Sequence, residues 1–109
     1  MSVGALVKYR KAQSATEYHP VATEDVFRRH WLPLAKAHGL VRIPLFATGF
    51  PVTRADIPAV LEEVGQMIGI IAAEVSDSSV RHGMLERAAR LRALLEASNI
   101  ADIEEIFIG

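Results

Sequence analysis

A stripe of apolar residues at helical spacing in the second half of the chain constrains the fold most. The stripe recurs every three or four residues, which is the period of one face of an α-helix. Its members are Ile57, Val60, Leu61, Val64, Ile68 and Ile71. Thr53 followed by Asp56 resembles a capping box, and Pro58 is compatible with the first turn of a helix. We predict a long helix that runs to about residue 75 and buries one side.

A second helical stripe follows a polar break in the chain. The segment Ser76–Ser79 ends the first helix and offers a new N-cap. The apolar positions after it are Val80, Met84, Ala88, Leu91 and Leu95. Asn99 suits the position just beyond the C-terminal end of this helix. The pattern predicts two consecutive helices in the second half of the chain.

Three shorter segments have the alternating apolar pattern that is typical of β-strands. They cover residues 3–10, 41–47 and 103–108. Pro44 places the second of these strands at a sheet edge or a bulge. Residues 11–22 have no sustained period, so two interpretations stay open: a loop, or a second hairpin strand near residues 15–19.

A further helix is predicted between the first two of these strands. Phe27, Trp31 and Leu34 recur at helical spacing. Thr23 is a good N-cap, and Gly39 suits the position after the last turn. Pro33 interrupts the helix because it lacks an N–H donor and collides with the preceding turn. We expect a kink near Arg29 or a restart at Leu32.

The fold class predicted from these segments is α+β. The expected order is β-α-β-α-α-β within a single domain covering residues 1–109, with the helices packed on one face of a small mixed sheet. The chain contains no cysteine, which excludes disulfides, a thiolate nucleophile and cysteine-type metal sites. The longest apolar run, Met67–Ala73, is far too short to span a bilayer. A cytoplasmic protein is therefore expected.

The net charge of −1 gives the chain no global attraction to nucleic acid or to an anionic membrane. The charge is uneven along the sequence. Residues 1–50 carry seven basic and three acidic side chains, whereas residues 51–109 carry five basic and ten acidic side chains. Folding either interleaves the two halves or creates two faces of opposite sign that suit a partner. We expect neither a nucleic-acid partner nor a membrane partner.

The chain contains no motif that fixes a chemistry. The four histidines show no metal-ligand spacing, and neither a G-x-S-x-G nor a phosphate-binding glycine motif occurs. We therefore expect no cofactor, no metal and no catalytic residues, and the sequence favours a protein that is not an enzyme. A small enzyme with a cleft at a subunit interface, using the region of His19, is kept as an alternative.

The function that the sequence favours is a protein-binding module that inhibits or sequesters a partner protein. Its most concrete form is immunity-like or antitoxin-like neutralisation of a toxin, the partner being a basic toxin or enzyme. Acidic side chains in the second half would meet the basic surface, and Tyr18 would act as an aromatic anchor. Glu62 and Glu63 lie off the apolar stripe and should face solvent. The candidate partner-binding residues are Tyr18, His19, Glu62, Glu63, Asp102, Glu104 and Glu105.

A second hypothesis is a homo-oligomeric structural or regulatory protein, with a homodimer as the simplest form. Small residues recur at about one helical turn on the first long helix: Gly65, Gly69, Ala72 and Ala73. Because glycine inside a helix costs about 1 kcal/mol, close approach of another backbone would explain the pattern. Either the second long helix or a second subunit could supply that backbone. The strand Ile103–Ile108 could also pair across subunits if it lies at a sheet edge.

Overall fold

The centre of the fold is a four-stranded sheet in the order β2-β1-β4-β3. The structure is a computed structural model, and it describes residues 2–10, 16–98 and 103–109. The strands are β1 (Ser2–Tyr9), β2 (Glu17–Thr23), β3 (Phe50–Val52) and β4 (Ile103–Ile108). The predicted α+β class is confirmed.

All neighbouring strands run antiparallel, so the prediction of a mixed sheet is wrong. The reason lies in the connections. Between β3 and β4 the chain passes through two consecutive helices, which return it so that the next strand runs in the opposite direction. β2 is the hairpin strand that the sequence left open for residues 11–22, and it pairs with β1. Residues 11–15 of that stretch lie outside the described residues.

The two long helices are confirmed as α3 (Ile57–Glu74) and α4 (Ser78–Ser98). They pack against each other, and α4 packs against β2 of the sheet. The inward side chains of the sheet, such as Ala5 and Ile108, are fully buried and belong to the same core cluster as the apolar stripes of both helices. Asn99, expected after the end of α4, lies outside the described residues. Among the residues that the structure describes, no helix is long and apolar enough to cross a membrane.

The helix between β2 and β3 is interrupted as predicted. It consists of α1 (Glu24–Val26), a π-helical segment (Phe27–Trp31) and α2 (Leu32–Ala37). Thr23 caps its N-terminus, since the Thr23 hydroxyl accepts a hydrogen bond from the Val26 N–H at 3.2 Å. The Leu32 N–H bonds to the Phe27 carbonyl, five residues back. This wider turn makes room for Pro33, whose ring would clash with a regular helix.

The strand predicted over residues 41–47 is wrong, because Ile43–Ala47 form a 3-10 helix. Buried Ile43 and Phe46 are three residues apart, which is the 3-10 period, whereas Leu45 is 44% exposed. Pro44 fits the start of such a helix because its fixed φ is compatible and it needs no N–H partner there. The N-terminal N–H groups of this helix find their partner in α3, as described below.

Candidate functional site

The sheet has one covered face and one bare face. Along β1 the side chains alternate between them: Ala5 and Val7 are fully buried, whereas Leu6 between them is 43% exposed. The bare side is called the open face below. It is formed by the outward side chains of all four strands: Leu6, Lys8, Tyr18, Pro51, Glu105 and Phe107.

A row of apolar side chains crosses the open face from edge to edge. Strand register places Tyr18 opposite Leu6, and it places Phe107 between Leu6 and Pro51. Tyr18, Leu6 and Phe107 are 52%, 43% and 41% exposed, and they are three of the five large apolar side chains exposed in the described part of the chain. Exposed apolar side chains that are scattered need no explanation, whereas a contiguous row makes this face a candidate binding surface.

The two aromatic rings of this row each pack against a glycine. A Cβ atom at Gly4 would lie 2.3 Å from the Tyr18 ring, and one at Gly49 would lie 2.5 Å from the Phe107 ring. The Tyr18 hydroxyl also bonds to the Ser2 hydroxyl at 3.0 Å, which fixes the ring at its far end. The glycines therefore let both rings rest on the backbone, and the apolar row is flat and held in position before any partner binds.

Charged side chains of both signs lie beside this row, towards one end of the two central strands. Lys8 on β1 stands directly opposite Glu105 on β4, one step along the strands from the pair of Leu6 and Phe107. The Lys8 Nζ atom is also 3.8 Å from a carboxylate oxygen of Glu104. Leu6, Lys8, Glu105 and Phe107 together line a shallow depression of about 140 Å³.

The edges of the sheet suit a partner less well than its open face. Edge strand β2 contains Pro20, and edge strand β3 has three residues including Pro51. Proline lacks the N–H that an added strand would need, so both edges resist strand addition. β4 lies between β1 and β3, and β3 pairs with its residues Ile106–Ile108. The strand Ile103–Ile108 is therefore not an edge strand, which was the condition for its predicted pairing across subunits.

Glu63, predicted to face solvent and a partner, is instead 6% exposed. Its carboxylate accepts hydrogen bonds from the backbone N–H groups of Arg42 at 2.9 Å and Ile43 at 3.2 Å. The second carboxylate oxygen accepts one from the Arg42 guanidinium at 3.0 Å. Glu63 thus caps the 3-10 helix from α3. The prediction is wrong because the hydrogen-bond partners of Glu63 lie about twenty residues earlier in the chain, and the local sequence pattern does not indicate them.

The remaining acidic candidates do not form one cluster. Glu62 is exposed and lines a depression beside Gly39–Arg42 that contains no residue of β4. Glu104 and Glu105 are on β4, with Glu105 on the open face. Asp102 lies outside the described residues. Among the described residues, Glu62 lies on α3 and Glu104 and Glu105 on β4, and their role in binding a basic partner stays a prediction.

Tyr18 and His19 point to opposite sides of β2. Tyr18 pairs with outward Leu6, whereas His19 pairs with buried Ala5. The His19 Nε2 atom lies 3.2 Å from a carboxylate oxygen of Glu17. Hydrogen bonds from His19 and then from Tyr9 hold the pKa of the Glu17 carboxyl below its usual range. Tyr18 therefore belongs to the open face and His19 does not.

The small-residue face of α3 does not contact α4. A Cβ atom at Gly65 or Gly69 would have no neighbour within 4 Å, and Gly69, Ala72 and Ala73 are exposed. The predicted packing against α4 is wrong because α4 binds the apolar stripe on the other side of α3. The alternative, that this face of α3 forms a dimer seam, stays a prediction. Part of the face borders a groove of about 440 Å³ whose lining includes His38 and Glu74, which contact each other.

The groove contains a histidine–carboxylate pair but no side-chain nucleophile beside it. Its lining residues are His38, Leu40, Gln66, Gly69, Ile70, Ala73 and Glu74. The histidine–carboxylate pair has no hydroxyl, thiol or amine among these residues to activate as a nucleophile. Within residues 2–10, 16–98 and 103–109, no group of three or more His, Asp or Glu residues could hold a metal ion.

Sequence analysis missed Leu6, Lys8, Pro51 and Phe107 as site residues. A signal was present for one of them. The alternation of β1 places Leu6 on the same side as Gly4 and Lys8, and a large apolar residue on the polar side of a strand is a mark of contact. Comparison of the chain with family models, curated proteins and solved structures found no match.

Proposed function

We propose that this chain is a protein-binding module that acts by covering the surface of a partner protein. The observation that carries the proposal is the apolar row of Tyr18, Leu6 and Phe107 on the open face. Burying such a row against another protein releases water from apolar surface, which is the main favourable term in most associations. The flat, supported rings lose little freedom on binding, so less of that gain is offset by ordering.

The charged end of the open face would orient the partner. Lys8, Glu104 and Glu105 sum to one negative charge and present both signs close together. Such a mixed end favours one docking direction over others but attracts a strongly basic protein only weakly. Sequestration would therefore be mainly steric. The association rate should depend on salt much less than it would with a continuous acidic surface.

The first test is capture of a partner by immobilised chains. The wild-type chain, Leu6→Asp and Leu45→Asp are compared in a lysate of the source cells. Leu45 is a matched control because it is 44% exposed against 43% for Leu6 and lies on the 3-10 helix instead of the sheet. Each chain is checked for folding by circular dichroism, and Leu6→Gln serves as a milder variant.

The captured protein is then purified and its binding is measured by calorimetry. We expect Leu6→Asp to weaken binding at least about tenfold, because a charge in the centre of an apolar contact must be desolvated. Leu45→Asp should bind like the wild-type chain. If the complex forms, loss of the partner's own activity checks sequestration. Equal binding by Leu6→Asp and the wild-type chain would overturn the proposal.

A further inference from the structure

The symmetry of the open face points to a second copy of this chain as its occupant; this inference rests on the proposed function. The strand order β2-β1-β4-β3 places the midline of the sheet between β1 and β4. We propose that two copies pack face to face about a two-fold axis that runs parallel to the strands along this midline. Such an axis lays β1 of each copy over β4 of the other, and it lays β2 over β3.

This axis brings complementary residues into contact without any shift along the strands. Leu6 and Phe107 are register partners within one copy, so the axis places Leu6 over the second copy's Phe107. Each contact occurs twice, as a two-fold interface requires. The backbone of Tyr18 is level with that of Leu6, and the backbone of Pro51 is level with that of Phe107, so the axis lays these two edge positions over each other. The ring of Tyr18 itself extends along the strands over Gly4.

The same axis also pairs opposite charges across the interface. Because Lys8 is the register partner of Glu105, the Lys8 ammonium of each copy faces the Glu105 carboxylate of the other. Glu104, which lies 3.8 Å from Lys8 in one copy, adds a further carboxylate to this end of the face. A two-fold axis perpendicular to the strands would instead place this charged end over the glycine end. Charge complementarity therefore favours the parallel axis.

The size of the face indicates a reversible dimer. Four strands about 4.8 Å apart with three side-chain rows would give each copy about 400 Å² of contact, or about 800 Å² in total, and this is an upper bound because β3 contributes a single outward position. Stable interfaces bury about 1,200–2,000 Å². The dimer should therefore dissociate on dilution, which leaves the same face free for another protein.

Sedimentation equilibrium of the full chain tests the dimer. Over about a hundred-fold range of concentration, the mass of the wild-type chain should rise from that of a monomer towards that of a dimer. Leu45→Asp should behave in the same way, and Leu6→Asp should remain monomeric throughout. A wild-type chain that stays monomeric, or a Leu6→Asp chain that dimerises like the wild type, overturns the inference.

A charge-reversal mixture tests the axis itself. In Lys8→Glu and in Glu105→Lys, both charged contacts of the dimer become repulsive, so each variant alone should dimerise at least about tenfold more weakly. In an equimolar mixture each introduced charge faces an opposite charge, so the heterodimer should form nearly as well as the wild-type dimer. Equal dimerisation of the separate variants and the wild type contradicts the proposed axis.

The outcomes also separate this inference from the proposed function. A chain that is monomeric at every concentration but captures a different protein through Leu6 overturns the second-copy inference and leaves the proposed function standing. Capture that is indifferent to Leu6→Asp overturns the proposed function. The mixture includes its own folding control, because two unfolded variants could not restore a dimer together.

Discussion

The Glu63 carboxylate accepts the backbone N–H of Arg42 at 2.9 Å and thereby ties α3 to the start of the 3-10 helix. Replacing Glu63 with alanine leaves the N–H groups of Arg42 and Ile43 without this partner and removes the buried half of an ion pair. We expect Glu63→Ala to lower the free energy of unfolding by about 2–4 kcal/mol, measured by urea titration. The adjacent Glu62→Ala is the matched control, since Glu62 is exposed, and should change stability by less than about 0.5 kcal/mol. Similar losses in the two variants would show that the cap contributes little.

Gly49 and Gly39 both have positive φ, at +103° and +71°, but their surroundings differ. A Cβ atom at Gly49 would meet the Phe107 ring, whereas one at Gly39 would have no neighbour within 4 Å. We expect Gly49→Ala to lower stability by about 2–3 kcal/mol and Gly39→Ala by about 1 kcal/mol, from thermal unfolding. Equal losses of stability in the two variants would mean that the Phe107 ring moves aside at no cost in free energy.

Gly69 lies inside α3 with open space around its Cβ position. Because glycine costs about 1 kcal/mol against alanine in a helix, Gly69→Ala should stabilise the monomer by about 0.5–1 kcal/mol. Urea unfolding at low protein concentration measures this gain. If the small-residue face of α3 is instead a dimer seam, the same substitution should weaken self-association. The open-face dimer predicts that its dissociation constant stays unchanged.

Asp56 makes the free energy of unfolding depend on pH in the acid range. Hydrogen bonds from the Thr53 backbone N–H and then from the Thr53 hydroxyl lower the pKa of the Asp56 carboxyl from its ordinary value of 3.8. A group with a lowered folded-state pKa contributes stability that is present above its unfolded pKa and is lost as the pH falls through the folded one. The acid-induced loss of stability below about pH 4 should therefore be smaller in Asp56→Asn than in the wild-type chain. Urea titrations at a series of pH values test this, with Asp25→Asn, a substitution of an exposed carboxylate, as the comparison. Unchanged pH dependence in Asp56→Asn would contradict the assignment.

Elements specified by contacts close in sequence could be predicted, and those specified by distant contacts could not. The stripes of α3 and α4, the Thr23 cap and the restart at Leu32 all depend on neighbours within a few residues, and all are confirmed. Residues 41–47 alternate like a strand but form a 3-10 helix, because Pro44 and the distant Glu63 carboxylate favour it. Local pattern alone could not choose between these structures.

The candidate site follows the same division. Tyr18 was identified as exposed from its own chemistry, and it lies on the open face. Its neighbours in the row come from strands about a hundred residues apart, so their alignment depends on sheet order and register. Neither is encoded in a short window of sequence. The predicted exposure of Glu63 is wrong for the same reason, because its burial depends on a loop elsewhere in the chain.

The pairing of β1 with β4 also governs how the chain folds. Ala5 and Ile108, which are partners at the centre of the sheet, are separated by nearly the whole described sequence. The β1–β2 hairpin and the α3–α4 pair can form from local contacts, but closing this long loop costs entropy before any sheet contact repays it. Insertion of β4 should therefore be a late, rate-limiting event. On a ribosome, the sheet could not be completed until the segment around Ile108 had emerged, and the growing chain would leave its apolar strands exposed until then.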